Sequence, residues 1–249
     1  MVRLDGLDGE NGGIRMNQDD YGSNGYYQNT EERSDIADSL MSKVFLYMFV
    51  ALLMTAVASY FTMQSNLLAN LSRPMFTMLL FGELGVVIVA GITMRKNMVL
   101  PSALLFAAYS IINGVTLSVV FYAYELGSVV SVFIVAAIVF GIMATYGLIT
   151  KSDLTSIGNI GIMGLIGVIV LGLLNVLFFH SEGITLLTSI IGLAVFIGLT
   201  AYDAQKIKNM ARMNTTQSPM VLAMFGALHL YLDFINMFLY LLRLFGKRK

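Results

Sequence analysis

The chain has 249 residues, of which 57% are hydrophobic and 12% charged, about half the charged share of an ordinary soluble domain. Fifteen basic residues balance fifteen acidic ones, and most of the acids precede Lys43, so no basic surface suited to nucleic acid is present. The absence of cysteine excludes disulfides, thiolate nucleophiles and thiolate metal ligands. Two histidines, His180 and His229, are too few for a three-histidine zinc site.

Residues 1–38 are rich in Gly, Asn, Asp and Tyr and bury too little apolar surface to offset ordering entropy. They are expected to form a disordered tail, with residues 39–249 forming one membrane domain. The tail lacks the basic, apolar and small-residue succession of a cleaved signal peptide, so the first span is expected to target the chain. From Lys43 onward come seven apolar segments of about 20 residues, the length that crosses a ~30 Å hydrocarbon core. They lie near 44–64, 75–94, 100–121, 128–149, 157–179, 184–206 and 220–245. Pro74, Pro101 and Pro219 fall at proposed helix starts, where the missing N–H costs nothing, and Ser218 is a natural N-cap. Gly158, Gly161, Gly164 and Gly167 recur every third residue in the fifth segment, which reads as a close helix contact rather than a thin, mobile wall.

Orientation follows the excess of Lys and Arg in cytoplasmic loops. The connections after segments two, four and six hold Arg95, Lys96, Lys151, Lys206, Lys208 and Arg212, against Arg73 alone on the other side. The amino terminus is therefore expected in the cytoplasm, and seven crossings put Lys249 outside. The basic residues Arg243, Lys247, Arg248 and Lys249 pull the other way, which leaves a re-entrant seventh segment as the alternative.

The seventh segment, Met220 to Phe245, carries His229, Asp233, Asn236, Tyr240 and Arg243 at steps of four and three, one stripe of an α-helix. Lipid cannot face that stripe, because an unpaired charge there costs several kcal/mol. The segment is therefore expected to be a central helix with the other six around it. Glu83 and Asp203 are the other acids within segments. Segments six and seven form a hairpin, which sets Asp203 level with His229 and one turn, about 6 Å, from Asp233. A carboxylate pair is geometrically permitted, and an ion pair of Asp203 with Lys206 is the simpler reading.

Two stretches carry a family resemblance: Ile197-Gly198-Leu199-Thr200-Ala201-Tyr202-Asp203-Ala204-Gln205-Lys206-Ile207-Lys208, and Leu230-Tyr231-Leu232-Asp233-Phe234-Ile235-Asn236-Met237-Phe238. With Gly114-Val115-Thr116-Leu117-Ser118, where many members continue with proline and this chain has Val119, and Thr150-Lys151-Ser152-Asp153-Leu154, the chain resembles the Bax inhibitor-1, or transmembrane Bax inhibitor motif, family over residues 40–246. The resemblance implies an all-α, seven-helix membrane fold with the last helix central. It also implies a pH-sensitive calcium leak of the bacterial plasma membrane, with no cofactor and with calcium as the transported ion. Asp203 and Asp233 would be the sensor, the gate and transient calcium ligands. Arg95 would be their counter-ion, and Glu83 matches a glutamate of the second span.

The chemistry suits these residue types. Two carboxylates in a low-dielectric site cannot both ionise cheaply, so they share a proton and titrate as a unit. When the proton leaves, repulsion parts the helices and the same oxygens suit a hard cation. Tyr202, Asn236 and Tyr240 are candidates to orient the pair, and His229 and Glu83 to support it or line an ion path. A proton-coupled exchanger would use the same pair. A regulatory protein that docks a membrane protease or a cell-death partner is the non-transport alternative. An intramembrane hydrolase built on His229 and Asp233 is disfavoured, since neither G-x-S-x-G nor H-E-x-x-H occurs. The chain is expected not to be an enzyme.

Overall fold

The computed structural model describes residues 18–65, 72–213 and 216–249. Seven helices long and apolar enough to cross a membrane lie among them. They are α1 (Gln18–Gln64), α2 (Arg73–Arg95), α3 (Val99–Ala123), α4 (Leu126–Ile149), α5 (Thr155–Phe179), α6 (Glu182–Arg212) and α7 (Pro219–Phe245). The α3 helix is interrupted at Ser118, whose hydroxyl donates to the Val115 carbonyl at 2.7 Å. The break forms there with Val119 in place of proline. The last turn of α5, Asn175–Phe179, widens to a π-helix.

The first helix begins earlier than the sequence reading placed it. Residues 1–17 of the expected disordered tail lie outside the described residues, while 18–38 are helical. Ala37, Leu40, Met41 and Val44 are buried at steps of three, one and three, a helical stripe. The stretch of α1 that is long and apolar enough to cross a membrane lies within Asp35–Gln64. Asp38 lies 3.7 Å from the Lys208 ammonium of α6.

The α7 helix packs against α1, α2, α3, α4 and α6, whereas α5 packs mainly on α6. The expected ring of six around α7 is thus corrected to five, with α5 set outside. Within the span windows, 78% of α7 is buried, against 6% to 39% in the other helices. Leu, Met, Phe and Ala on all faces of α7 supply the core, and the outward faces of α2 and α5 are the apolar surface that a bilayer solvates.

Close approach of α6 to its neighbours depends on glycine. A Cβ on Gly147 of α4 would overlap the Ala201 carbonyl oxygen. Gly158, Gly161 and Gly164 of α5 sit against Tyr202, Leu199 and Val195, while Gly167 has open space. The glycine stripe is a helix contact over three of its four positions.

Side chains of the α6 motif fasten the connections. Gln205 accepts from Leu154 N–H at 2.9 Å and donates to the Ser152 carbonyl at 2.8 Å. Lys208 donates to the Leu148 carbonyl at 3.2 Å. Asp153 accepts from Thr155 N–H and Oγ1 at 2.9 and 2.6 Å, and these bonds hold its carboxyl below the usual range. The stability this adds at the start of α5 is present above the ordinary carboxylate range and lost as pH falls through the lowered value.

Both ends of α7 are tied to connections. At its start Ser218 occupies the cap position but makes no side-chain cap bond, so the expected N-cap is corrected. Its backbone N–H instead donates to Asn97 Oδ1 at 2.8 Å, in the turn between α2 and α3 where Asn97 adopts a positive φ of 58°. At its far end Lys247 O accepts from Glu125 N–H at 2.9 Å and Lys249 N–H donates to Ala123 O at 3.1 Å. Lys247 N–H also donates to Ser128 Oγ at 2.8 Å, and its ammonium lies 3.1 Å from Glu125. Since α3 runs from one of these connections to the other, α7 traverses the whole bundle and is not re-entrant. Reporters fused after Thr30 and after Lys249 are therefore expected to read opposite sides of the membrane. A reading of the same side for both would overturn the seven-crossing arrangement.

Candidate functional site

The polar stripe of α7 lies mostly within the bundle. Asp233 is buried, His229, Asn236 and Tyr240 are half-buried, and Arg243 is exposed. Across the hairpin, Asp233 is within electrostatic reach of Asp203, and Asp203 in turn of His229 and Lys206. The Oδ2 atom of Asp233 makes no hydrogen bond although it is buried. A buried carboxylate oxygen without a partner is costly, so this position is set apart from the satisfied polar groups around it.

Several expected supports act elsewhere. His229 Nδ1 and Asn236 Nδ2 pair with the carbonyls one turn earlier, Phe225 O at 2.9 Å and Leu232 O at 2.8 Å. The Tyr240 ring covers Gly192 of α6 and stacks obliquely on Phe196, with ring centroids 5.9 Å apart. Tyr202 covers Gly158 and carries the Lys206 ammonium 5.4 Å from its ring centre. These residues shape the seam without hydrogen-bonding the carboxylates. Arg95 is exposed and forms no ion pair among the described residues. The expected contact with the pair is therefore absent here, because Arg95 ends α2 at the bundle surface, while the lysine beside Asp203 is Lys206 of α6. His180 sits in the turn between α5 and α6 with a φ of 49°, away from the site.

A second polar system was not foreseen. Glu83 of α2 accepts from Asn113 Nδ2 and, at 3.0 Å, from Thr116 Oγ1 of α3. Asn113 Oδ1 accepts from the Tyr231 hydroxyl of α7 at 2.9 Å. The Thr55 hydroxyl of α1 lies 2.7 Å from the Tyr231 hydroxyl oxygen. Phe106 and Tyr109 meet the Tyr231 ring edge-on, at centroid distances of 6.0 and 5.8 Å. Four helices are thereby linked through one buried hydroxyl. Tyr231 stands two residues from Asp233 and so on the opposite side of α7. Tyr231→Phe leaves Asn113 Oδ1 without its donor, and a loss of about 1–3 kcal/mol is expected, read as a lower Tm in detergent. An unchanged Tm would show that this hydroxyl does not bind the four helices together.

The family model described as "Inhibitor of apoptosis-promoting Bax1" matches residues 37–249. The inner membrane protein YbhL of Escherichia coli is 40% identical, over 84% of this chain and 92% of its own. A protein of Borreliella burgdorferi is 39% identical over 88% and 97%, and a membrane protein of Streptococcus pyogenes 36% identical over 86% and 96%. A seven-helix bundle with its last helix buried, a match over nearly the whole membrane domain, and relatives of equal extent agree: this chain is an integral multi-pass membrane protein of the Bax inhibitor family.

Proposed function

We propose that the protein is a pH-sensitive calcium leak channel, gated by a proton shared between Asp203 and Asp233 and requiring no catalysis. The observation that carries this reading is Asp233 Oδ2, buried and unbonded at the seam between α6 and α7, facing a helix that bears a second carboxyl group. With one proton between them the helices stay closed. Loss of that proton places two anions in a low-dielectric seam, where at ~4 Å and an effective dielectric of ~20 they repel by about 4 kcal/mol. The seam then opens, and its oxygens become transient ligands for calcium. Flux accordingly rises with pH.

The loop charges support an amino terminus in the cytoplasm, the full traverse of α7 then puts Lys249 outside, and the Escherichia coli relative supports the plasma membrane of a bacterium. Calcium efflux from liposomes holding only the purified protein tests the reading. Efflux that needs no proton gradient is the expected result. Efflux driven by a proton gradient would make the protein an exchanger. The absence of efflux together with co-purification of a membrane protease or another protein would make it a regulatory binder.

Lys206, rather than Arg95, is the cation beside Asp203 in this arrangement. Lys206→Ala is expected to move the midpoint of the flux profile to higher pH, since removing a nearby cation disfavours ionisation of the pair. Arg95→Ala is expected to leave the midpoint in place. A shift with Arg95→Ala equal to that with Lys206→Ala would restore Arg95 as the counter-ion.

A further inference from the structure

Helices α1 and α4 do not pack against each other along their length, and α7 forms the floor between them. Two cavities of about 470 and 230 Å³ occupy this gap and share Leu52, Ala56 and Phe133, so they form one cleft. Every side chain lining it is apolar except Thr55 and Ser59. Thr55 and Thr62 donate to carbonyls one turn back, at 2.9 and 2.7 Å. Ser59, between them on the same stripe, does not. Its hydroxyl is buried, 3% exposed, and has no hydrogen-bond partner.

We propose that this cleft is a binding site for one acyl chain of a diacyl phospholipid, with the ester carbonyl accepting a hydrogen bond from Ser59 Oγ. All four bounding helices, α1, α3, α4 and α7, are membrane spans, so the medium outside the cleft is lipid, which brings no water to satisfy a hydroxyl. Along α1 the lining runs from Phe45 to Ser59, about 21 Å at 1.5 Å per residue. That exceeds half of a ~30 Å hydrocarbon core, so a chain entering from one leaflet fills it. Ser59 lies about 8 Å from the end of α1 at Gln64, at the depth where an ester joins chain to headgroup. The chain runs inward from there along Phe133, Phe234 and Phe238, beside the helix that carries Asp233.

The chain has no tryptophan, so Phe133→Trp places a single reporter in the cleft. Phe81→Trp, on the exposed face of α2, is the reference. In dodecyl maltoside micelles, phosphatidylcholine brominated along one acyl chain is expected to quench Phe133→Trp as a saturable single site. Quenching of Phe81→Trp should follow the bulk lipid fraction. An ether-linked analogue, which lacks the carbonyl, should bind roughly three- to tenfold more weakly, and adding Ser59→Ala should erase that difference. Leu53→Trp reports from the facing wall if Phe133→Trp does not fold. Quenching at the cleft that follows bulk lipid, or the absence of an ester preference that Ser59→Ala removes, overturns the proposal. The readout is binding, so the result stands apart from calcium flux.

Discussion

Asp233→Asn is expected to flatten the pH dependence of calcium flux. A single shared proton lets flux change by up to about tenfold per pH unit near its midpoint, and an amide of the same shape has no proton to lose. The variant should hold flux within about twofold across the range in which the wild type responds, a span of roughly one midpoint slope. Asp203→Asn should do the same, because each carboxylate is half of one titrating unit. The double variant should add little, since residues that act as a unit are not additive. Liposome efflux at stepped pH measures all three. A pH response that survives either single change assigns that aspartate a role in packing only.

Gly147→Ala is the substitution expected to harm the fold most. Its new methyl would overlap the Ala201 carbonyl oxygen and crowd the Ala201 Cα at 3.0 Å. Backbone, unlike a side chain, has no alternative rotamer to adopt, so α4 and α6 must separate. A cost of about 2–3 kcal/mol is expected, seen as a lower Tm in detergent. Ala201 precedes Asp203 by two residues, so the protein that does fold should also show an altered flux profile. Gly167→Ala, with nothing within 4 Å, is the matching control and should gain about 0.5–1 kcal/mol from helix propensity. Equal stability of the two variants would rule out close packing as the reason for glycine at 147.

Hydropathy makes the spans legible, because a bilayer imposes one length and one composition on every helix that crosses it. The α7 stripe was legible for a similar reason, since charge on an otherwise apolar helix leaves few orientations. The link from Thr55 through Tyr231 and Asn113 to Glu83 was not. Each helix contributes a polar residue or two with no periodicity of their own, and only the packing assembles them. The entry of α1 was hidden differently. Asp35, Asp38, Ser39, Ser42 and Lys43 surround Ala37, Leu40 and Met41, and their polarity masks the stripe that packs. The conflict between the basic final residues and the positive-inside count is met by the carbonyls of Ala123 and Lys247, by Ser128 and by Glu125, which tie those residues to the α3–α4 turn. A bias counted over loops contains no term for such tethering.

The ties at the two ends of α7 limit how any gate here can move. A stroke of α7 along its own axis would strip the Ser218 to Asn97 bond at one end and the Glu125, Ser128 and Ala123 bonds at the other. Apart from Ser128 in the first turn of α4, these anchors lie in α3 or in the turns that flank it, so α7 and α3 form a single strut of fixed length. Motion that preserves the strut is lateral. In the proposed gate the helix that must part from α7 is α6, which bears Asp203 across the seam from Asp233. Opening by this route widens a seam in the plane of the membrane and leaves the depth of every side chain on α7 unchanged.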